Sequence, residues 1–336
     1  MGACAKISSF PNGCRSAKRW VSPQGRASVR VRRDLASAHG ATVALTIGNF
    51  DGVHRGHQAM LTRLIEAAED LRLPPVVLTF DPHPREFFSP ASAPPRLSSL
   101  RSKLDLFRAY GVATTFVVRF DARLASLTAA QFVSDVLERQ LEVRWLLVGE
   151  DFRFGRGRLG DLAFLRAETR RFSVEAMATV VVDGERASST AIRGALSAGD
   201  LARAAALLGR NYSITGHVTH GDKLGRDLGF PTANIALRRA PALNGIFAVR
   251  AHGLAGAARA GVASVGVRPT VTTDGKPIAE VYLLDFNETI YGKRLTIEFL
   301  HKLRDEERYP NLDALTRQIG RDVLHAREFF ASQDLS

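Results

Sequence analysis

"ATVALTIGNFDGVHRGHQAMLTRLIEAAEDLRLPPVVLTF", residues 41–80, reads as strand, tight turn, helix and second strand. The run "ATVALTIGNF" is apolar and β-branched, as a buried strand is. From Gly56 to Leu71 the apolar residues Met60, Leu61, Leu64, Ile65, Ala68 and Leu71 recur at helical spacing. "LPP" at 73–75 stops that helix, and "VVLTF" at 76–80 is the next strand. A strand–turn–helix–strand unit opens a parallel sheet. The alternation continues through helix-like "LRSKLDLFRAYG", strand "TTFVVRF", helix-like "TAAQFVSDVLERQL" and strand "VRWLLVG". Only "SPASAPPRLSS", 89–99, interrupts it as a Pro/Ser-rich loop.

After about residue 212 the texture changes. "YSITGHVTHG", "GIFAVRAHG", "ARAGVASVGVRP", "AEVYLLDF" and "RLTIEFLHKL" are short strand-like runs punctuated by Gly, Asn and Asp. One long helix, "NLDALTRQIGRDVLHAREFFAS", closes the chain. This half reads as a small antiparallel barrel with a C-terminal helix. "GDLARAAALLGRNY" joins the halves, with a helix expected over 188–208. A chain of 336 residues suits two such domains. The expected division is 1–35, 36–205 and 206–336, with a cut near Ala202 separating two working units.

The net charge of +12 suggests a nucleic-acid partner until its placement is read. Residues 1–33 hold eight Lys or Arg and no acid, which leaves a net of only +4 for the rest. That excess marks a basic, disordered extension, or an Arg-rich transit segment, and no nucleic-acid-binding face. Both cysteines, Cys4 and Cys14, lie in it, so neither staples the core nor completes a zinc site. No apolar run approaches the roughly 20 residues that span a bilayer. A reducing, cytoplasmic compartment and no membrane partner are expected.

His54 and His57 stand where the first helix begins. A helix N-terminus offers free N–H groups and a positive dipole end, both suited to phosphate. Gly56 permits close backbone approach, and Asp51 with Gly52 makes a sharp turn. A metal reading is weaker: the zinc pattern H-E-x-x-H needs i, i+4 spacing with a Glu between, and here the spacing is i, i+3. "SSTAIRGAL", 188–196, supplies a second anion site, with Ser and Thr at a helix start and Arg193 one turn inside. A capped helix with a surface Arg would read the same way.

The chain resembles the bifunctional riboflavin kinase/FAD synthetases of bacteria over about residues 40–330. "LTIGNFDGVHRGHQ", "LTFDPHP", "GEDFRFG" and "SSTAIR" appear in the order of that family's FMN adenylyltransferase module. "HGDKLGRDLGFPTANI", "GVRPTV", "LLDF", "YGKRL" and "KLRDEERY" follow in the order of its riboflavin kinase module. The resemblance implies an α/β, Rossmann-like nucleotidyltransferase domain, then a small antiparallel β-barrel riboflavin kinase domain with a C-terminal helix. It implies phosphorylation of riboflavin to FMN and adenylylation of FMN to FAD, with ATP as co-substrate of both and Mg2+ as cofactor.

Carried onto this sequence, the family's motifs place His54 and His57 on the ATP phosphates, with Gly48, Asp51 and Gly56 around them. Ser189, Thr190 and Arg193 would close on the pyrophosphate end. Phe80, Asp81 and His83 of "FDPHP" and Asp151, Phe152 and Phe154 of "EDFRFG" would line the flavin side. The two phenylalanines suit ring stacking or core packing equally. Asp151 suits magnesium, substrate or a solvated loop.

In the second half, "GHVTHGDKLG" is no P-loop: Asp222 precedes Lys223, Leu224 follows it, and no helix context exists. Gly221, Lys223 and Gly229 can still cover phosphates from a glycine-rich turn. Thr232 and Asn234 of "GFPTAN" offer hard oxygen ligands, and the family's magnesium site maps there. Glu280 matches the family's base for the hydroxyl, and Arg304 suits flavin, nucleotide or a surface ion pair. Ser264 and Phe247 stand where the family pattern often has Asn and Tyr. A synthetase with the same H-x-G-H element would need a K-M-S-K-S-type loop, which is missing. A nucleic-acid binder would interleave aromatic and basic residues, which this chain does not.

Overall fold

A computed structural model describes residues 29–35, 42–221, 225, 228–237, 239–267 and 277–334. The strand β2 (Val43–Ile47) is buried along its whole length, as a strand covered on both faces must be. Val43, Leu45 and Ile47 face one apolar layer, and Ala44 faces the other. Helix α1 (Arg55–Leu71) lays Met60, Leu61, Leu64, Ala67 and Ala68 on that second layer. Arg72 ends it in the left-handed region (φ 53°), ahead of Pro74.

The first half continues through β3 (Pro75–Phe80), short α2 (Pro84–Phe88), α3 (Leu100–Ala109) and β4 (Thr114–Val118). Next come α4 (Ala122–Ser126) and α5 (Ala129–Gln131), which runs on as a π-helical stretch, Phe132–Gln140. β5 (Val143–Gly149), α6 (Leu162–Glu168), β6 (Ser173–Met177) and the hairpin strands β7 (Val181–Val182) and β8 (Glu185–Arg186) follow. Six parallel strands form one sheet in the order β1-β4-β3-β2-β5-β6. The chain winds outward from β2 on one side and resumes with β5 on the other. That reversal opens a crevice at the carboxyl ends of β2 and β5.

Two expectations change here. The edge strand β1 (Arg30–Arg32) lies inside the segment read as a disordered extension and pairs in parallel with Thr114–Phe116. An edge strand can be held by backbone hydrogen bonds alone, so its Arg-Val-Arg composition gives no apolar signal. The stretch 188–208 is two helices, α7 (Ser189–Ser197) and α8 (Leu201–Leu208). Gly199 (φ +75°) breaks it, and Asp200 caps the second helix through Arg203 N.

The second half is a closed barrel in the order β10-β13-β12-β11-β14-β9, antiparallel throughout. Its strands are β9 (Ser213–Thr219), β10 (Thr232–Ala236), β11 (Gly245–His252), β12 (Arg259–Val267), β13 (Pro277–Leu283) and β14 (Arg294–Arg304). Inward residues such as Ile235, Phe247, Ala263, Val281 and Phe299 fill it, and Phe247 meets Phe299 edge-on. The C-terminal helix α9 (Leu312–Asp334) covers Ile246, Ala248 and Val262 outside. The barrel core is continuous with Ile192, Ala195 and Leu196 of α7 and Leu207 and Leu208 of α8. No helix among the described residues is long and apolar enough to cross a membrane.

Candidate active sites

The turn after β2 is built from unusual backbone. Phe50 (φ 50°), Gly52 (φ 81°) and Val53 (φ 43°) are all left-handed, and Val53 N closes the turn on Phe50 O at 3.2 Å. His54 stands at the N-cap of α1, whose start no side chain caps and whose first turn holds no acid. The His54 and His57 rings stack at 3.7 Å and 25°. Phe50 packs on His57 at 4.9 Å. A Cβ on Gly56 would come within 3.2 Å of the His54 ring and 3.5 Å of Ala187 O. Glycine there lets the 188–193 segment approach.

Three buried polar atoms at this turn lack a partner: Asn49 Oδ1, His54 Nδ1 and His57 Nδ1. Buried polar atoms are nearly always paired, so such a cluster marks a place for a ligand. Burial depresses His54 to about 4 and pushes His57 well below its usual value. Both imidazoles are therefore neutral near pH 7, each with one N–H to donate. Lys103 is buried beside them, donates from Nζ to Asn49 O at 3.0 Å, and is pushed down by its burial.

Asp51 takes a different part from the one expected. Its buried carboxylate accepts from Leu97 N and Ser98 N, each at 3.1 Å, and from Arg193 Nη2 at 2.5 Å. Ser189 Oγ donates to Asp51 O at 2.9 Å, and Arg193 Nε to Pro95 O at 2.7 Å. Asp51 thus ties the H-x-G-H turn, the loop before α3 and helix α7 together, with both carboxylate oxygens hydrogen-bonded within the protein. Ser188, not Ser189, caps α7 through Ala191 N, and Thr190 is exposed on its first turn.

A cavity of about 830 Å3 opens from this turn along the crevice. Gly48, Asn49 and His57 line one end, and Phe80, Phe88, Phe120, Gly149, Asp151, Phe152 and Phe154 line the rest. Phe152 and Phe154 both border the cavity, and Phe154 is in addition buried against Phe132 at 5.5 Å and Phe152 at 5.4 Å as part of the core. Asp151 is ion-paired to Arg186. Asp81 and His83 are not among the lining residues. Asp81 accepts from Arg96 at 3.0 Å, and His83 forms a capping box with Glu86 at the start of α2.

Sequence reasoning missed Asn49, Lys103, Phe88 and Phe120. Lys103 had a signal: with Leu100, Leu104 and Phe107 it occupies the i, i+3, i+4, i+7 stripe of α3, where a charge does not belong without a purpose. Phe88 and Phe120 looked like ordinary apolar residues.

The second constellation lies on the outer face of the barrel. Asn234 on β10 is directly opposite Glu280 on β13, which is directly opposite Ser264 on β12. Opposed residues on one face sit about 5 Å apart, so the three form a row. Asn234 is buried with Oδ1 unpartnered, and it fills the space a Cβ on Gly221 would take, 2.5 Å from Asn234 Cγ. Thr232 shares that face and borders a small cavity of about 90 Å3 with Pro231, Phe286 and Tyr291. His220 stacks on Tyr291 at 3.9 Å nearby. Gly229 is left-handed (φ +85°), and Lys223 lies outside the described residues. An unpartnered amide oxygen and a hydroxyl in a close glycine cradle fit a hard cation such as Mg2+ carried by phosphates.

Arg304 forms the ion pair that was one of its expected roles. It donates to both Asp322 oxygens on α9, at 2.8 and 2.7 Å, so it anchors the C-terminal helix. Ser264 Oγ reaches Glu306 at 3.5 Å, and the Phe247 ring lies inside the barrel. The departures from the expected pattern therefore fall on a carboxylate contact and on core packing.

The description "FAD synthetase" belongs to the family model that matches residues 36–191, and "riboflavin kinase" to the one that matches 208–330. The bifunctional riboflavin kinase/FMN adenylyltransferase of Pseudomonas fluorescens is 48% identical over 306 residues, which covers 90% of this chain and 97% of that enzyme. The enzyme of that name from Escherichia coli K12 is 45% identical over 305 residues, with the same coverage. A crystal structure of a macrolide-efflux protein from Streptococcus pneumoniae superposes with a TM-score of 0.74 at 27% identity, over 90% of this chain and 99% of that one.

Proposed function

The chain belongs to the bifunctional riboflavin kinase/FMN adenylyltransferase family, and from that premise we propose which residues carry each reaction. Its substrates are riboflavin, FMN and ATP. The first half transfers AMP from ATP to FMN, giving FAD and pyrophosphate, and the second phosphorylates riboflavin to FMN. AMP transfer is assigned to the turn between β2 and α1. The observation that carries this is the pair of unpartnered buried atoms Asn49 Oδ1 and His57 Nδ1, on residues that line a cavity roomy enough for a flavin, with the unpartnered His54 Nδ1 on the ring stacked against His57.

The α-phosphate meets the N-terminus of α1, where neutral His54 and His57 donate to its oxygens. Positioned donors stabilise the charge that develops as the FMN phosphate attacks. Burial of the imidazoles keeps them neutral without cost to this role, because a hydrogen-bond donor is needed and a proton carrier is not. Arg193, fixed by Asp51, approaches the leaving pyrophosphate from α7. The aromatic side of the cavity, with Phe80 and Phe152, receives the isoalloxazine ring.

Riboflavin phosphorylation is assigned to the row Asn234–Glu280. Glu280 accepts the proton of the 5′-hydroxyl. Thr232 and Asn234 would hold Mg2+, which neutralises phosphate charge when bound. Gly221, packed closely against Asn234, lies beside the phosphates. We place the enzyme in the cytoplasm, where ATP is at hand.

The test is a timed reaction with riboflavin and Mg-ATP, with the flavins separated. His57→Ala should lower FAD formation from FMN by about 10²–10³ while FMN still accumulates. Asn234→Ala should raise the magnesium needed for FMN formation and leave FAD formation from added FMN alone. Near-normal FAD synthesis in the first variant, or an unchanged magnesium titration in the second, defeats the respective assignment.

A further inference from the structure

The carbonyl side of the H-x-G-H turn is held from the start of the second half. Arg210 Nη2 donates to Gly52 O at 2.6 Å, and Nη1 to Val53 O at 3.1 Å and Leu208 O at 3.2 Å. Gln58 Nε2 bridges the same atoms, reaching Val53 O at 2.9 Å and Leu208 O at 2.6 Å. Gly209 caps α8 in the left-handed region (φ +71°), and a Cβ there would lie 2.5 Å from Arg55 Nε. The Leu208–Arg210 segment is therefore fitted closely to the turn and to the first residues of α1.

Two facts make this more than packing. Val53 is a β-branched residue at φ +43°, a conformation that persists only when its surroundings enforce it. It immediately precedes His54. Arg210 is also the kind of group that normally needs a reason: among the described residues, its hydrogen bonds go to carbonyl oxygens and to no carboxylate. Its burial pushes the guanidinium down to about 10, which still leaves it charged at pH 7.

We propose that Arg210 is a positioning residue for adenylylation: its planar fork grips the consecutive carbonyls of Gly52 and Val53 and so holds His54 and His57 at the α-phosphate. The FAD-forming site is thereby completed by a residue from the segment that begins the riboflavin kinase half. This rests on the assignment of AMP transfer to the turn. A guanidinium suits the task because its donors are fixed in one plane, whereas an ammonium is a point donor on a flexible stem.

Arg210→Ala, Arg210→Lys and His57→Ala are compared in the full-length chain. Riboflavin phosphorylation in the same samples is the control. Misplacing reacting groups by about 1 Å costs up to about a hundredfold, so Arg210→Ala should lower kcat for FAD formation by roughly tenfold to a hundredfold. KM for FMN should change little, and FMN formation from riboflavin should persist. Arg210→Lys should remain impaired despite its charge. Millimolar guanidinium should restore part of the rate to Arg210→Ala and none to His57→Ala.

Normal kcat in Arg210→Ala overturns the proposal, as does full activity in Arg210→Lys, which would assign the role to charge alone. Parallel loss of both activities with a lowered melting temperature overturns it too, by showing a general structural role. If His57→Ala also keeps its FAD-forming rate, the site assignment has failed; if only the Arg210 variants keep it, the positioning role alone has.

Discussion

The two histidines of the turn carry a thermodynamic signature besides their chemistry. His54 is held at about 4 in the folded chain, chiefly by burial. An unfolded chain returns it to about 6.5. As pH falls below 6.5 the unfolded state takes up the proton first, so stability is lost between pH 6.5 and 4 and is unaffected above 7. The difference at pH 5 is about 2 kcal/mol for this one side chain. Denaturant melts at pH 7.5 and pH 5 should show the native chain losing about that much more than His54→Asn. Equal losses would mean that His54 is not buried neutral. At this scale the sequence was partly legible. The pair of histidines announced itself because few roles suit H-x-G-H at a helix start. The partners of Asp51 were not legible, since a carboxylate in a glycine turn looks the same whether it faces solvent, ligand or, as here, an arginine and two amides. Asn49 was passed over because an amide in a turn is common; only burial without a partner singles it out.

Elements were easier to read than their ends. The long strands and α1 follow from periodicity, because each buries a continuous face. β10 was harder: "GFPTAN" carries Gly, Pro and Asn, all turn residues, yet from Thr232 it is a strand, fixed by pairing with β13 on one side and β9 on the other. Nothing local marks that. Partners distant in sequence do, and they bring Asn234 opposite Glu280. The glycine turn that precedes β10 is fitted to it, which gives a second prediction. A Cβ added at Gly221 would sit 2.5 Å from Asn234 Cγ and 2.7 Å from its Oδ1, so the side chain must swing away. Gly221→Ala should then slow riboflavin phosphorylation by roughly tenfold to a hundredfold, by displacing the oxygen assigned to the metal. FAD formation from supplied FMN should be untouched, because no part of the first site lies on this turn. An unaltered FMN-forming rate would show that Asn234 either does not move or is not needed.

For the whole molecule, the change of texture near residues 200–212 suggested two units that a cut near Ala202 would part. The structure joins them more closely than the texture implies. One apolar cluster runs from Ile192, Ala195 and Leu196 on α7 through Leu207 and Leu208 on α8 into the barrel, and a cut at 202 would leave its two sides on different fragments. Polar contacts cross as well: Arg294 to Asp105 at 2.9 Å, Arg239 to Glu86 at 3.3 Å, and Arg210 to Gly52 and Val53. Glu86 and the turn are buried, so the links to them are less screened than the exposed Arg294–Asp105 pair. Composition could not show this, because α7 and α8 are amphipathic whichever body they cover. Halves that share a core should unfold together. Calorimetry of the full-length chain should therefore give one transition, and the FMN-forming and FAD-forming activities should disappear at the same temperature on heating. Two resolved transitions, each ending one activity, would mean that the shared cluster couples the halves too weakly to matter. In that case each half folds by itself, and the contacts from the Leu208–Arg210 segment adjust the first site without holding the two bodies together.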